Sequence, residues 1–267
     1  MLGGMGQTLA EILDAAAAGR FPADDGETVV VPQPSWRDAG VVAFTGHSVV
    51  FVDEDPAWVK SALADVDTDA LAAAMNARFL HALLERTGRR MDTIDLLTVA
   101  SPLGGPPPVA VTAIEDPEHP RVRRALLHRD DVRVWAADGG VLVLGRGVAG
   151  RWEAAIEVEP EARHHGLGRA LALAARHLVP GGLPVWSQQA AGNARSIRAF
   201  QAAGYRPVGG EALMVPAGCR NQREGDGDSE GATEPEGAGV DPEGDGETDG
   251  LGAEDWPRNG ANWGQYG

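Results

Sequence analysis

The sequence predicts an α/β (α+β) fold: a mixed, mostly antiparallel, twisted sheet flanked by helices, with an N-terminal α/β accessory region and a disordered acidic C-terminal tail. Three observations carry this reading. Apolar, β-branched runs alternate with segments of 3.6-residue period along the first 216 residues. Two pairs of such runs flank short glycine turns, Thr45-Gly46-His47-Ser48 and Asp138-Gly139-Gly140, and so read as antiparallel hairpins. Between Trp152 and Ala172 an apolar run (Ala155, Ile156, Val158) is stopped by Pro160, a polar loop closes on Gly166 and Gly168, and a helical period begins.

Taken in order, residues 8–19 form an amphipathic helix, with Thr8 and Glu11 as a capping box and Leu9, Ile12, Leu13 and Ala16 on one side. Residues 28–31 read as a strand, and residues 41–44 and 49–52 as the first hairpin. Asp55 before Pro56 is an N-cap with proline at the first helical position, opening a helix through Ala64. A longer helix is expected over residues 69–87, with Gly88 at its end, and then a buried strand over 93–99. The block SPLGGPPPV, residues 101–109, fits neither a helix nor a central strand and reads as a linker. Beyond it come a strand (110–114), a short helix (120–128), the second hairpin (131–137 and 141–146), a turn (148–150) and a strand (151–158). A helix (166–178), a strand (184–188), a helix from Asn193, and two strands (205–208 and 212–215) complete the order. The expected domains are therefore residues 1–100, the linker 101–109, residues 110–216, and the tail 217–267.

Charge is unevenly spread. From Ala217 onward thirteen acidic residues face three arginines, which supplies ten of the sixteen net negative charges. That glycine-rich, one-sign segment has too little apolar surface to offset its conformational entropy. An acidic chain is a poor partner for nucleic acid, whose phosphates need a basic surface. No apolar run approaches the length that spans a bilayer, and no secretory signal pattern opens the chain, so a cytoplasmic location with no membrane partner is expected. The single cysteine, Cys219, excludes an intrachain disulfide and fits a reducing compartment. His164 and His165 are adjacent, poor geometry for joint ligation, and no metal is expected.

The strand-to-helix junction carries the chemistry. Glycines there free the backbone so that several N–H groups converge before the positive end of a helix, which suits a phosphate or pyrophosphate. A dinucleotide fold would use the same device. Its third glycine is absent, however, and Gln188 and Gln189 stand where its acidic residue belongs.

The spacing Arg163-x-x-Gly166-x-Gly168, followed by Asn193-Ala-Arg-Ser196-Ile197-Arg-Ala-Phe200-Gln-Ala-Ala-Gly204-Tyr205, resembles the acyl-CoA loop and the following helix of the GNAT N-acetyltransferase superfamily. The resemblance is specific over residues 152–208 and extends plausibly to residue 107; the first hundred residues match no motif and read as an accessory or a degenerate GNAT-like domain. It implies a GNAT-like sheet in which the central strand bulges and splays from the next. It also implies acetyl-CoA as co-substrate, with the diphosphate on the amides of His164, His165, Gly166, Leu167, Gly168 and Arg169. Arg163 would sit near the phosphates or stabilise the turn, the Val158 N–H would meet the thioester carbonyl, and Asn193 and Ser196 would lie beside the pantetheine arm, with Asn193 equally suited to capping its helix.

A protonated amine must lose a proton before it attacks. Glu153, Glu157 and Glu159 share one strand face, which nominates Glu157 and Glu153 as general bases; the same carboxylates could instead attract a cationic substrate. Phe200 stands where many relatives carry the tyrosine that protonates the departing thiolate, leaving Ser196, Tyr205 or water for that task. The acceptor implied is a small-molecule or protein amine, and a homodimer is left open. A non-catalytic acyl-CoA-binding sensor is the alternative to an enzyme.

Overall fold

The computed structural model of the protein describes residues 7–217. The acidic tail expected from residue 217 onward therefore lies, beyond its first residue, outside the described residues.

Thr8 caps the first helix, α1 (Leu9–Ala17), with the reciprocal bonds of a capping box: Glu11 N–H donates to Thr8 Oγ1 at 3.3 Å and Thr8 N–H to Glu11 Oε2 at 2.8 Å. Strands β1 (Thr28–Val31), β2 (Ala39–Phe44) and β3 (His47–Phe51) follow, then α2 (Pro56–Ala64), capped by Asp55 as expected. The single helix expected over 69–87 is two, α3 (Ala70–Ala73) and α4 (Ala77–Thr87). Asn76 is the reason: its side chain accepts the Arg78 N–H at 2.9 Å and starts a new helix where the apolar period alone reads through. Next come β4 (Arg89–Arg90), β5 (Asp95–Ala100), β6 (Thr112–Ile114), α5 (Pro120–His128), β7 (Asp130–Ala137) and β8 (Gly140–Arg146). The chain ends its described course with β9 (Trp152–Val158), α6 (Leu167–Leu178), β10 (Val185–Ala190), α7 (Ala194–Ala202) and β11 (Arg206–Pro216).

The two short strands expected near the C-terminus are one, β11. Gly209 and Gly210 do not turn the chain; they pair with Leu97 and Leu96 just after the register against β5 shifts between Pro207 and Gly209. A Cβ on Gly209 would lie 2.1 Å from the Ala43 carbonyl oxygen, so the close approach of β2 demands the glycine.

All these strands belong to one sheet of order β1-β3-β2-β11-β5-β10-β9-β8-β7-β6, with β4 beside the end of β11. Pairing is antiparallel except between β1 and β3 and between β9 and β10. Strand β5, from the first hundred residues, lies between β10 and β11; strand β11, from the C-terminal half, lies between β2 and β5. This corrects the expected domain boundary. The 101–109 segment is irregular, as its prolines require, but it joins strands of one sheet rather than two domains, and the described residues lie within one compact unit.

Cross-strand pairs put Glu153, Glu157, Trp186, Leu97 and Val42 on one face, where α1 packs over Val42, Phe44, Leu97, Val99 and Trp186 and α5 over Val134 and Val143. The other face carries α6 and α7 over Leu142, Leu144, Trp152 and Ala154, and α2 to α4 over Val41, Val50, Ala212 and Met214. Both faces are thus covered, which accounts for strands that read as continuous apolar runs.

Because β5 completes the pairing of both β10 and β11, residues 101–217 expressed alone are expected to show no cooperative thermal transition by circular dichroism. Co-expression with residues 1–100 should restore it. A sharp transition in the isolated fragment would contradict the shared sheet.

Candidate functional site

Strand β9 pairs with β8 without interruption from Trp152↔Arg146 to Val158↔Gly140, so the bulge implied by the resemblance is absent. With β10 it pairs only at Trp152↔Val185 and Glu153↔Trp186, and then the two strands part. The Ser187 hydroxyl spans the start of the parting by donating to the Ala154 carbonyl at 3.2 Å.

The edge that β9 presents to this gap follows from its hydrogen bonds. Glu159 N–H donates to Gly139 O and Gly147 N–H to Arg151 O, both at 2.9 Å, so the odd-numbered residues of β9 bond to β8. The N–H groups of Ile156 and Val158 therefore point into the gap, where no strand faces them. Burial falls in step, from full at Trp152 to Ala154 to partial at Ala155 to Val158.

Beyond β9, Arg163 leads into two left-handed positions, His164 (φ 67°) and Gly166 (φ 86°). Gly166 holds its conformation freely; His164 holds it at a steric cost, which is common where a loop serves function. The Arg163 side chain returns to donate from Nε to the Val158 carbonyl at 3.3 Å, which fixes the turn against the strand. No side chain caps α6, and the first bond that closes onto it is Ala170 N–H to Gly166 O at 3.0 Å. Among the described residues, the amides of His164, His165, Gly166, Leu167, Gly168 and Arg169 consequently have no acceptor. A Cβ on Gly168 would meet only ordinary contacts, 3.7 Å from Ile156 and Val158 and 3.8 Å from Ala199, so this glycine lines the space where β9, α6 and α7 converge.

No sequence-family profile matches the chain, and no curated protein matches it by sequence. Among solved structures, a GCN5-related N-acetyltransferase from Kribbella flavida is similar at 19% identity and a TM-score of 0.37, over 68% of this chain and 89% of that one. One from Sphaerobacter thermophilus is similar at 16% identity and 0.33, over 52% of this chain and 56% of its own length. A tandem GNAT protein from the clavulanic acid biosynthesis pathway is similar at 14% and 0.32, over 50% of this chain. This chain thus spans little more than half of the Sphaerobacter protein, and overlaps of this extent bear on neither substrate nor chemistry. The parting of β9 from β10 beside an uncapped glycine loop is the chain's own observation. The fold is a mixed, mostly antiparallel sheet with helices on both faces.

On this sheet the two carboxylates named as bases have different surroundings. Glu153 is 4% exposed. Its Oε1 accepts from Arg151 Nε at 2.8 Å, Gln188 Nε2 at 2.9 Å and Val148 N–H at 3.3 Å, and its Oε2 accepts from Arg129 Nε at 3.0 Å. Burial alone would raise its pKa, but the charges of Arg151 and Arg129, with the bonds from Arg151 and Gln188, hold it at about 2. Glu153 is therefore a structural anion, which corrects its nomination as a base. Glu157 is half-buried, and one of its oxygens, Oε2, is engaged by Arg121 Nε of α5 at 3.2 Å. Glu159 is exposed.

Asn193 accepts the Ser196 N–H on Oδ1 at 3.0 Å and so caps α7, while the Ser196 hydroxyl has no partner among the described residues. Phe200 is buried edge-to-face against Tyr205, with centroids 4.8 Å apart. The Tyr205 hydroxyl, named as one possible acid, is buried and donates to the Ala172 carbonyl at 3.2 Å; burial raises its pKa well above the usual phenol range, which removes it from that task. Among the described residues no group of side chains could hold a metal ion, and no helix is long and apolar enough to cross a membrane.

Three residues at this centre escape the sequence reading. Arg151 donates from Nη2 to Glu211 Oε2 at 2.8 Å, joining β11 to β9 across two strands, and Asp95 sits directly opposite Glu211. The faint signal was positional: Arg151 and Glu153 alternate on one strand, while Asp95 and Glu211 interrupt otherwise apolar runs.

Replacing Glu153 by Gln leaves Arg151 and Arg129 without their shared anion and should cost about 3–5 kcal/mol in urea unfolding, the range for breaking a buried pair. Because the folded pKa lies below the unfolded value of 4.5, Glu153 contributes its full stability above that pH and loses it as the pH falls through about 2. The gap between wild type and variant should accordingly be constant at neutral pH and close only in acid.

Proposed function

We propose that the protein is an acetyl-CoA-dependent N-acetyltransferase that moves an acetyl group to an amine by direct attack in a ternary complex. The observation that supports this most is the run of acceptor-free amides from His164 to Arg169, gathered where β9 passes to α6 and beside the open edge of β9. Such donors, at the positive end of a helix, suit a diphosphate. Arg169, Arg195 and Arg198 are exposed on the first turns of α6 and α7, so this end of an acidic protein is locally basic.

Bound acetyl-CoA would supply an acyl group already activated as a thioester. The chain's own residues do the rest. The amides of His164 to Arg169 hold the diphosphate, and Arg163 keeps the loop that carries them against β9. The Val158 N–H, free on the gap edge, donates to the thioester carbonyl and stabilises negative charge as it develops there. Asn193 and Ser196 lie at the start of α7, where the Ser196 hydroxyl and the Asn193 amide nitrogen can donate to the pantetheine arm. Glu157, at the rim of the gap, draws in a cationic amine. With Phe200 apolar and Tyr205 committed to Ala172, the thiolate leaves without a tyrosine acid, which its modest basicity allows.

Gly168→Ala tests the cradle, because the added Cβ makes only ordinary contacts here yet intrudes on the space that the cofactor would enter. The variant should keep its melting temperature and lose acetyl-CoA affinity by about 100-fold, roughly 2.7 kcal/mol, in calorimetric titration. Unchanged affinity would sink the loop assignment. A wild type that binds acetyl-CoA but releases thiol with no amine would leave a binding module instead.

A further inference from the structure

We infer that Asp95, brought into the centre of the sheet from the N-terminal half, is the carboxylate that takes the proton from the acceptor amine. The inference rests on the acetyltransferase reading and adds to it the residue that activates the nucleophile.

The placement comes first. Asp95 opens β5, and its partners in register are Ala190 at the end of β10 and Glu211 of β11. That is the end of β10 that has already left β9. By cross-strand pairing Asp95 lies on the same sheet face as Gln188, Glu153 and Glu157, the face on which α1 and α5 stand over different strands. One strand spacing, about 4.8 Å, separates β5 from β10, so Asp95 and Glu157 flank the gap from opposite sides.

Its surroundings come second. Every other carboxylate of this centre is engaged: Glu153 by two arginines, Glu157 by Arg121, and Glu211 through Oε2 by Arg151 and Gln188. The carboxylate of half-buried Asp95 has no hydrogen bond or ion pair among the described residues. The other oxygen of Glu211, which is 1% exposed, is also buried without a partner. Two carboxylates directly opposite on a ladder repel, and a fold does not keep such a pair for stability.

The charged groups that act on Asp95 are Glu211 on β11, Asp92 in the turn before β5, and Arg124 on α5. Arg124 lies 3.8 Å from Asp92 and is shared with it. Burial first, then the Glu211 charge, raise Asp95 to about 6, which lets it accept a proton at neutral pH and return it to solvent. Glu157 is held by Arg121, whereas Asp95 is unencumbered.

The step balances. One ammonium proton passes to Asp95 and then to water, and the freed nitrogen lone pair forms the C–N bond to the acetyl carbonyl carbon. The C–S bond breaks with its electron pair on sulfur, which takes the second nitrogen proton.

The test is thiol release by the full-length protein, with acetyl-CoA and a panel of primary alkyl, arylethyl and polyamines, alongside calorimetric titration of acetyl-CoA alone. Asp95→Asn should lower kcat about 100-fold or more, leave the KM for acetyl-CoA unchanged, and abolish the acid limb of the rate profile near pH 6. It should also raise the melting temperature at pH 8, because it removes an unpaired charge, and this advantage should fade between pH 6 and pH 4; a purely structural residue would lower it. Glu211→Gln should move the same limb to lower pH. A variant Asp95→Asn with wild-type kcat and limb overturns the inference, as does a wild type that binds acetyl-CoA and acetylates none of the amines. Failure of the wild type to bind acetyl-CoA overturns instead the acetyltransferase reading on which it stands.

Discussion

The arginine at the start of β9 is the constraint around which the sheet is arranged. Arg151 is buried among three strands, and its two carboxylate partners come from its own strand and from β11. Buried ions of this kind add little net stability over an apolar core, since desolvation consumes most of the attraction. What they enforce is position. The guanidinium fork permits one alignment of β9 with respect to β11, and Gln188, bonded to both glutamates, fixes β10 between them. One guanidinium nitrogen and one Glu211 oxygen remain unpaired, so the cluster is under-satisfied rather than optimal.

This clamp explains where the sheet opens. β9 and β10 are locked side by side at Trp152 and Glu153, and past that rung only the Gln188 amide, reaching back to Glu153, and the Ser187 hydroxyl bond across among the described residues. The polar network closes the base of the gap while the uncapped glycine loop stands at its mouth. Between them the free N–H groups of Ile156 and Val158 provide a donor edge that costs little, because the strand is only partly buried there. A polar clamp and an open edge thus stand at opposite ends of one seven-residue strand.

Much of this was legible in the sequence because it is local. The capping box at Thr8, the Asp55-Pro56 helix start, the hairpin about Gly139 and the handover from Val158 to Gly166 depend on neighbouring residues, and each lies where it was expected. The parting of β9 and β10 was implied by resemblance, although the bulge was not found. The errors are non-local but for one. Nothing near residues 93–99 announces that this strand sits between two strands made more than eighty residues later. Glu153 looked like a base because strand alternation placed it beside Glu157, but Arg129 arrives from another element and converts it into an anchor. Asn76 is the exception, a local cap hidden by a helical period that ran through it.

The exchange of β5 and β11 also orders events in time. The strand that fills the place between β2 and β5 is the last of the described elements to be synthesised, so both neighbours wait with bare ladder edges until residue 216 has emerged. Such high sequence separation between paired strands slows folding and leaves the strand edges of the nascent N-terminal half exposed for longer. The protein is in that sense a knot of commitments made early and honoured late on the ribosome.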